Sequence, residues 1–427
     1  MDVQINESDA HHTEHHQQNE NRNSRHHHRS DRNSGHRKHT NRSRKKKKKL
    51  SWEKIIIIAL SALLTAMLVM ILIGVNSGRI SVPGNMAGQT ENVAQDIFSV
   101  QLINSDGMLV NSAVEQYLLI DFENPYNHHI RLSDFSDDES RWDVQIPVGL
   151  EITAEGIFDT VYKIELADNE WFNNASVDYA ARAELIYEFE HLYANTQYFY
   201  RVTAYSNKGV ASQAGSFVTS DTPRILSIDG LRNVRDIGNW KTDSGKRVRQ
   251  GLLLRGTEMD GDVEAAYHLT KDGLMDMLDV FGIKTDIDLR ADTSTSMDAL
   301  GSRVSHRYYD MVMYQGVFTD EGKEKVRLVF ADFANYQNYP IYLHCTYGCD
   351  RTGTICYLLE ALLGVSPGDC LKDYGLSNLD LANIRTVEEG LKAYEGDTLK
   401  EQAESYLLSC GVTEQQIESI RNIFLGD

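Results

Sequence analysis

A cysteine and an arginine separated by five residues stand in the string His344-Cys345-Thr346-Tyr347-Gly348-Cys349-Asp350-Arg351-Thr352-Gly353. An apolar run, Ile341-Tyr342-Leu343, precedes the string and another, Ile355 to Leu363, follows it, an order that reads as strand, tight loop and helix. Such a loop sets the Cys345 thiol beneath backbone N–H groups at a helix N-terminus, where a phosphate would also sit. A helix N-terminus and a nearby guanidinium both favour the thiolate form of a cysteine. Arg351 can curl back and grip two phosphoryl oxygens. The chemistry this spacing serves is attack of sulfur on phosphorus, through a cysteinyl-phosphate on Cys345. The phosphate would be held by Thr346, Tyr347, Gly348, Cys349, Asp350, Arg351 and Thr352. Thr352 could also donate its hydroxyl to the departing sulfur. His344 is expected to order the loop by hydrogen bonds and not to transfer protons.

The ten-residue string resembles the active-site signature of the cysteine-dependent tyrosine phosphatase superfamily. Three further blocks resemble, in the same order, segments of its bacterial atypical tyrosine and dual-specificity branch. The first joins Asn233-Val234-Arg235-Asp236-Ile237-Gly238 to Gly245 through Arg255; the others are Ile283 to Arg290 and Asp373-Tyr374-Gly375-Leu376-Ser377-Asn378. The resemblance covers Thr222 to Asp427. It implies a general acid for the leaving oxygen. Asp310 lies at the superfamily's usual distance before the cysteine, and Asp350, inside the loop, is the bacterial branch's alternative. The family usually has Lys where this chain has Cys349, and a small residue where it has Tyr347. The missing lysine weakens the case for highly anionic substrates such as phosphoinositides or inositol phosphates. The reading is thus a phosphatase of protein phosphotyrosine, with phosphoserine and phosphothreonine as further candidates. A catalytically silent surface binding or scaffold protein is the alternative of another class. No cofactor and no metal is called for.

The elements that must carry this loop follow from the order of the chain. Of 427 residues with net charge −19, residues 1–54 hold 14 Lys and Arg against 7 Asp and Glu, a net +7, leaving −26 for the rest. So acidic a body repels phosphate backbones, which argues against nucleic acid as a partner. Residues 1–54 are polar and His-rich and read as a disordered basic tail. Their clusters, such as His26-His27-His28, could bind a transition metal, but a solvated tail is the better reading. Residues 55–75 are 21 uncharged, mostly apolar residues, enough for one transmembrane helix in a lipid bilayer. The lysine run beside their N-terminal end places the N-terminus in the cytoplasm and the catalytic domain outside.

Residues 76–95 read as a linker. Residues 96–220 are β-like, with period-two runs at Tyr117 to Phe122 and Thr160 to Leu166. Tyr198 to Ala204 and Ser216 to Thr219 resemble the last two strands of a fibronectin type III domain, including its corner tyrosine. This β-sandwich module is read as a spacer lifting the enzyme off the membrane, with a protein or polysaccharide contact as the other reading. From 222 to 427 apolar strand-like runs alternate with helical stretches, predicting an α/β domain with its ligand at strand carboxyl ends. The fold class expected is therefore multi-domain: one N-terminal transmembrane helix, a fibronectin III-like β-sandwich, then an α/β cysteine-phosphatase domain. All five cysteines lie in the α/β part. Cys345 and Cys349 could form a protective reversible disulfide, though Cys349 reads better as a small neutral filler.

Overall fold

The computed structural model describes residues 98–136, 142–154, 160–181, 184–206, 209–290 and 299–426, all within the compact unit Pro83–Asp427. The tail at 1–54, the apolar span at 55–75 and the linker at 76–95 lie outside the described residues. Among the described residues no helix is long and apolar enough to cross a membrane.

The first part is a sandwich of seven strands: β1 Phe98–Ile103, β2 Val148–Ala154, β3 Val161–Ala167, β4 Ser176–Ala180, β5 Glu184–Phe189, β6 Gln197–Ser206 and β7 Gly209–Val218. They form two antiparallel sheets with orders β1-β2-β5 and β4-β3-β6-β7. The alternation along β6 explains its place: Tyr198, Tyr200, Val202 and Ala204 turn inward, as a strand with one buried face requires. The Tyr198 hydroxyl accepts the Tyr193 N–H at 2.9 Å.

The run Tyr117 to Phe122, read as a strand, is not one. It belongs to an excursion between β1 and β2, and its first part closes the helix α1, Ser112–Leu118. The Asn111 side chain caps α1 by accepting the Val114 N–H at 3.0 Å, a start signal that outweighs the weak alternation after it. Val110, Val114, Tyr117, Phe122 and Leu132 from the excursion are buried in the same apolar cluster as Leu358, Tyr374 and Leu381 of the second part. Residues 96–220 are therefore a sandwich plus a strap that completes the neighbouring core. Leaving those five side chains in water would cost about 1.5–3 kcal/mol for each large one.

The second part is built on a five-stranded sheet of order β11-β10-β12-β9-β8. Its strands are β8 Arg235–Asp236, β9 Leu253–Gly256, β10 Thr285–Asp288, β11 Ser305–Tyr308 and β12 Ile341–His344. β9 to β12 run parallel and β8 is antiparallel at the edge. Around it pack α2 Lys271–Met275, α3 Asp320–Phe333, α4 Asp350–Leu363, α5 Pro367–Gly375, α6 Ala382–Leu391, α7 Leu399–Cys410 and α8 Glu414–Leu425. Every residue of α4 from Thr352 to Leu363 is buried, which is why its sequence is mostly apolar all round, with Glu360 the one buried carboxyl. The apolar runs at 252–254, 285–289 and 341–343 fall on β9, β10 and β12, whereas β11, with the sequence Ser-His-Arg-Tyr, has no apolar run to mark it.

Arg224 joins the two parts. It donates to the Leu192 carbonyl at 2.9 Å, pairs with Asp236 at 3.2 Å and covers the Tyr193 ring at 4.0 Å.

Candidate active site

β12 ends at His344, the loop from Cys345 turns beneath it, and α4 begins at Asp350. Within this turn the backbone is sorted by polarity. Each carbonyl from Cys345 to Asp350 is bonded to the surrounding protein. The His344 Nδ1 donates to Cys345 O at 3.2 Å, Glu258 N to Thr346 O at 3.0 Å and Asn233 Nδ2 to Tyr347 O at 3.0 Å. Arg255 Nη2 donates to Gly348 O at 2.8 Å, Gly353 N to Cys349 O at 2.7 Å and Thr354 Oγ1 to Asp350 O at 2.7 Å.

The amides of Thr346 to Arg351, by contrast, find no acceptor among the described residues. Arg351 Nε and Thr352 Oγ1 are likewise buried without a partner there. Carbonyls tied outward and donors left free make a concave anion site, since buried donors without acceptors are otherwise costly. Cys345 is 2 % exposed within this ring of donors. Gly348 is needed at its position: φ is +66° and a side chain would strike the Gly256 backbone.

The groups that hold the loop come from distant blocks. Asp373 is buried between two guanidinium groups, Arg235 at 3.0 Å and Arg255 at 2.6 Å. Burial alone would raise its pKa; the two guanidiniums outweigh burial and lower it. Arg235 also holds Asn233 Oδ1 at 2.6 Å, so one charged cluster fixes both donors to the Tyr347 and Gly348 carbonyls. Roles for Asn233, Arg255 and Asp373 were not assigned from the sequence. The available signal was an arginine closing the apolar run Leu252-Leu253-Leu254, because a buried guanidinium demands a carboxylate.

His344 is buried beside Asp286, with Nε2 at 3.1 Å from its carboxylate. Burial would lower the His344 pKa, but Asp286 and Asp288 raise it to about 9. Burial would likewise raise Asp286, while His344 and His306 hold it near 2. A raised histidine stabilises the fold fully below its unfolded pKa of 6.5 and loses that contribution as pH climbs toward 9. Stability should therefore fall between pH 6.5 and 8 by on the order of 1–2 kcal/mol. A chain with His344→Gln should show a flatter profile there in denaturant titrations. Parallel profiles would refute the assignment.

The two candidate acids occupy different places. The Tyr314 hydroxyl donates to the Asp350 carboxylate and contacts the Tyr374 hydroxyl at 2.8 Å. Asp310 is half-buried just past β11. Its neighbour Met311 donates to the Leu289 carbonyl at 3.4 Å, which also accepts from Arg351 Nη1 at 3.4 Å. The segment from Asp310 to Tyr314 thus runs from the arginine's acceptor to the carboxylate of Asp350. Cys349 is a free thiol. Burial pushes its pKa up to about 11, and it donates to the Tyr347 carbonyl at 3.2 Å, as a neutral filler would. Arg290 is met by Glu258 at 2.9 Å, Asp260 at 2.8 Å and Asp288 at 2.7 Å.

A parallel strand that ends before a buried cysteine, with an arginine in the first turn of the following helix, gives this α/β domain the arrangement a cysteine-dependent phosphatase would need. Residues 226–426 match the model of the tyrosine phosphatase family. The Cupriavidus necator protein named "Putative tyrosine-protein phosphatase H16_A0669" is 29% identical over 210 residues, 42% of this chain and 72% of the relative. Among solved structures, the core catalytic domain of the PP-IP phosphatase SIW14 from S. cerevisiae, in complex with citrate, is 16% identical with a TM-score of 0.27. That match covers 36% of this chain and 86% of that one. A beta-glucuronidase of Parabacteroides merdae is 15% identical with a TM-score of 0.13, over 46% of this chain and 26% of its own.

Proposed function

We propose that the chain hydrolyses phosphotyrosine in proteins through a cysteinyl-phosphate on Cys345. The observation that carries this reading is the sorted loop, with its carbonyls bound outward and its amides free around one buried thiol. In the first step the Cys345 sulfur bonds to phosphorus as the ester P–O bond breaks, and an acid gives its proton to the leaving oxygen. Arg351 and the amides from Thr346 to Arg351 hold the equatorial oxygens as charge shifts. In the second step water attacks phosphorus, the S–P bond breaks, the same carboxylate accepts a proton, and Thr352 eases the sulfur's departure.

Asp350 suits the role of acid because it rides on the loop itself and its carboxylate is oriented by Tyr314. Asp350→Asn should lower kcat by about 10²–10⁴-fold and remove the basic limb of the pH–rate profile. A larger loss from Asp310→Asn would move the role there.

Phosphotyrosine is favoured over polyphosphorylated inositols because the loop has Cys349 in place of a cation and Arg290 is already neutralised by three carboxylates. The full chain should therefore turn over a phosphotyrosyl peptide faster than a phosphoseryl peptide or an inositol polyphosphate. The reverse order would overturn the substrate assignment. Residues 55–75 are proposed as a single membrane anchor, N-terminus in the cytoplasm and enzyme outside, the sandwich serving as spacer. Protease access to a C-terminal tag on intact cells checks this topology.

A further inference from the structure

We infer that the seam between the sandwich and the α/β domain is the channel for the polypeptide around the phosphorylated tyrosine. The channel would favour an apolar or aromatic side chain next to the phosphotyrosine and Lys or Arg further along. The inference rests on the phosphatase reading and deepens it.

A cleft of about 560 Å³ opens beside the catalytic loop, with Tyr347 and Cys349 of the loop in its wall. Trp142 and Asp143, from the excursion between β1 and β2, form part of another wall, and Tyr267 lines it as well. Tyr347 is 47% exposed and meets the Tyr267 ring edge-on at 5.8 Å. Aromatic rings at a rim offer large contact area for little lost side-chain entropy. The walls are tied together: Arg232 Nε donates to Asp143 Oδ2 at 2.5 Å and Asn233 N to the same oxygen at 3.2 Å. The sandwich's excursion thus shapes a cleft whose wall includes Tyr347 and Cys349 of the loop that follows Cys345.

A second cleft of about 590 Å³ lies on the same seam, shares Asp143, Arg232 and Ala266 with the first, and carries Glu190, Asp229, Asp272 and Asp276 in its wall. Arg232 is already engaged by Asp143. Burial raises the Asp276 pKa, and Asp272 and Asp229 raise it further, a sign of concentrated negative potential. A basic flank complements this wall, and an acidic one is repelled. Two residues of the loop in the wall of the first cleft, and the acidic wall beside it, make a substrate polypeptide the occupant we assign.

The test uses the full chain carrying Cys345→Ser and two fluorescein-labelled phosphotyrosyl peptides. One has Phe beside the phosphotyrosine and a Lys/Arg flank; the other has Glu throughout that flank. Fluorescence anisotropy should give a Kd about 10-fold lower for the basic peptide. Adding Trp142→Ala should raise that Kd about 10-fold. Adding Glu190→Lys with Asp272→Lys, both at exposed positions, should erase the preference. Equal Kd values for the two peptides, or a preference that survives charge reversal, overturns the channel. Hydrolysis of a small aryl phosphate by the chain with Cys345 intact is followed separately. Failure there refutes the phosphatase reading, whereas the channel is decided by the Kd values.

Discussion

Cys345→Ser should reduce turnover of an aryl phosphate by about 10⁴-fold or more. The change replaces sulfur by oxygen at a site that is 2 % exposed, so it keeps shape and packing and removes the nucleophile alone. The amide ring remains, and the variant should still bind the phosphoester. Arg351 should show the complementary behaviour. Among the described residues its Nε is buried without a partner, and Nη1 donates to the Leu289 carbonyl at 3.4 Å. Such a guanidinium is free to take up two phosphoryl oxygens. Arg351→Lys supplies one point charge in place of a planar fork, and kcat should fall about 10²–10³-fold. Steady-state kinetics with matched thermal midpoints check both. A Cys345→Ser chain with activity within tenfold of the native chain contradicts the nucleophile assignment.

Asp373→Ala should be the most destabilising single change outside the apolar core. It removes the carboxylate shared by Arg235 and Arg255, which are 2 % and 0 % exposed at the side chain. Two buried cations that lose their bonded counter-ion, with only Glu360 left nearby, cost about 3–5 kcal/mol. Activity should fall as well, because Arg255 holds the Gly348 carbonyl and Arg235 holds Asn233, the donor to Tyr347. Urea titration and kinetics on the same preparations decide it. A loss below about 1 kcal/mol with unchanged kcat would mean that the cluster does not brace the loop.

The loop, its strand and its helix were legible in the sequence because one short string carries the candidate nucleophile, the proposed anion site and the turn. Three of the four parallel strands were legible too, as short apolar runs between helical stretches; β11, polar Ser-His-Arg-Tyr at the sheet edge, was not. The excursion was not. Tyr117-Leu118-Leu119-Ile120 alternates about as well as it winds, and its buried face is chosen by the neighbouring domain, to which Tyr117 presents itself against Gly375. A side chain at 375 would occupy the place of the Tyr117 hydroxyl. The brace was hidden for another reason: Arg255 and Asp373 are 118 residues apart, and nothing local marks either as the other's partner. Tyr314 stayed hidden as well, since its link to Asp350 depends on a loop without a spacing rule. Sequence thus disclosed the loop with its strand and helix, while the residues that brace them emerged only in the fold.

The central claim is that phosphate passes through the sulfur of Cys345. Acid quenching of the full chain during turnover of a ³²P-labelled phosphotyrosyl peptide, followed by peptide mapping, tests it directly. The account predicts label on the peptide containing Cys345 and none in the Cys345→Ser chain; label on any other residue, or an unlabelled protein that still turns over when Cys345 is Ser, would contradict it.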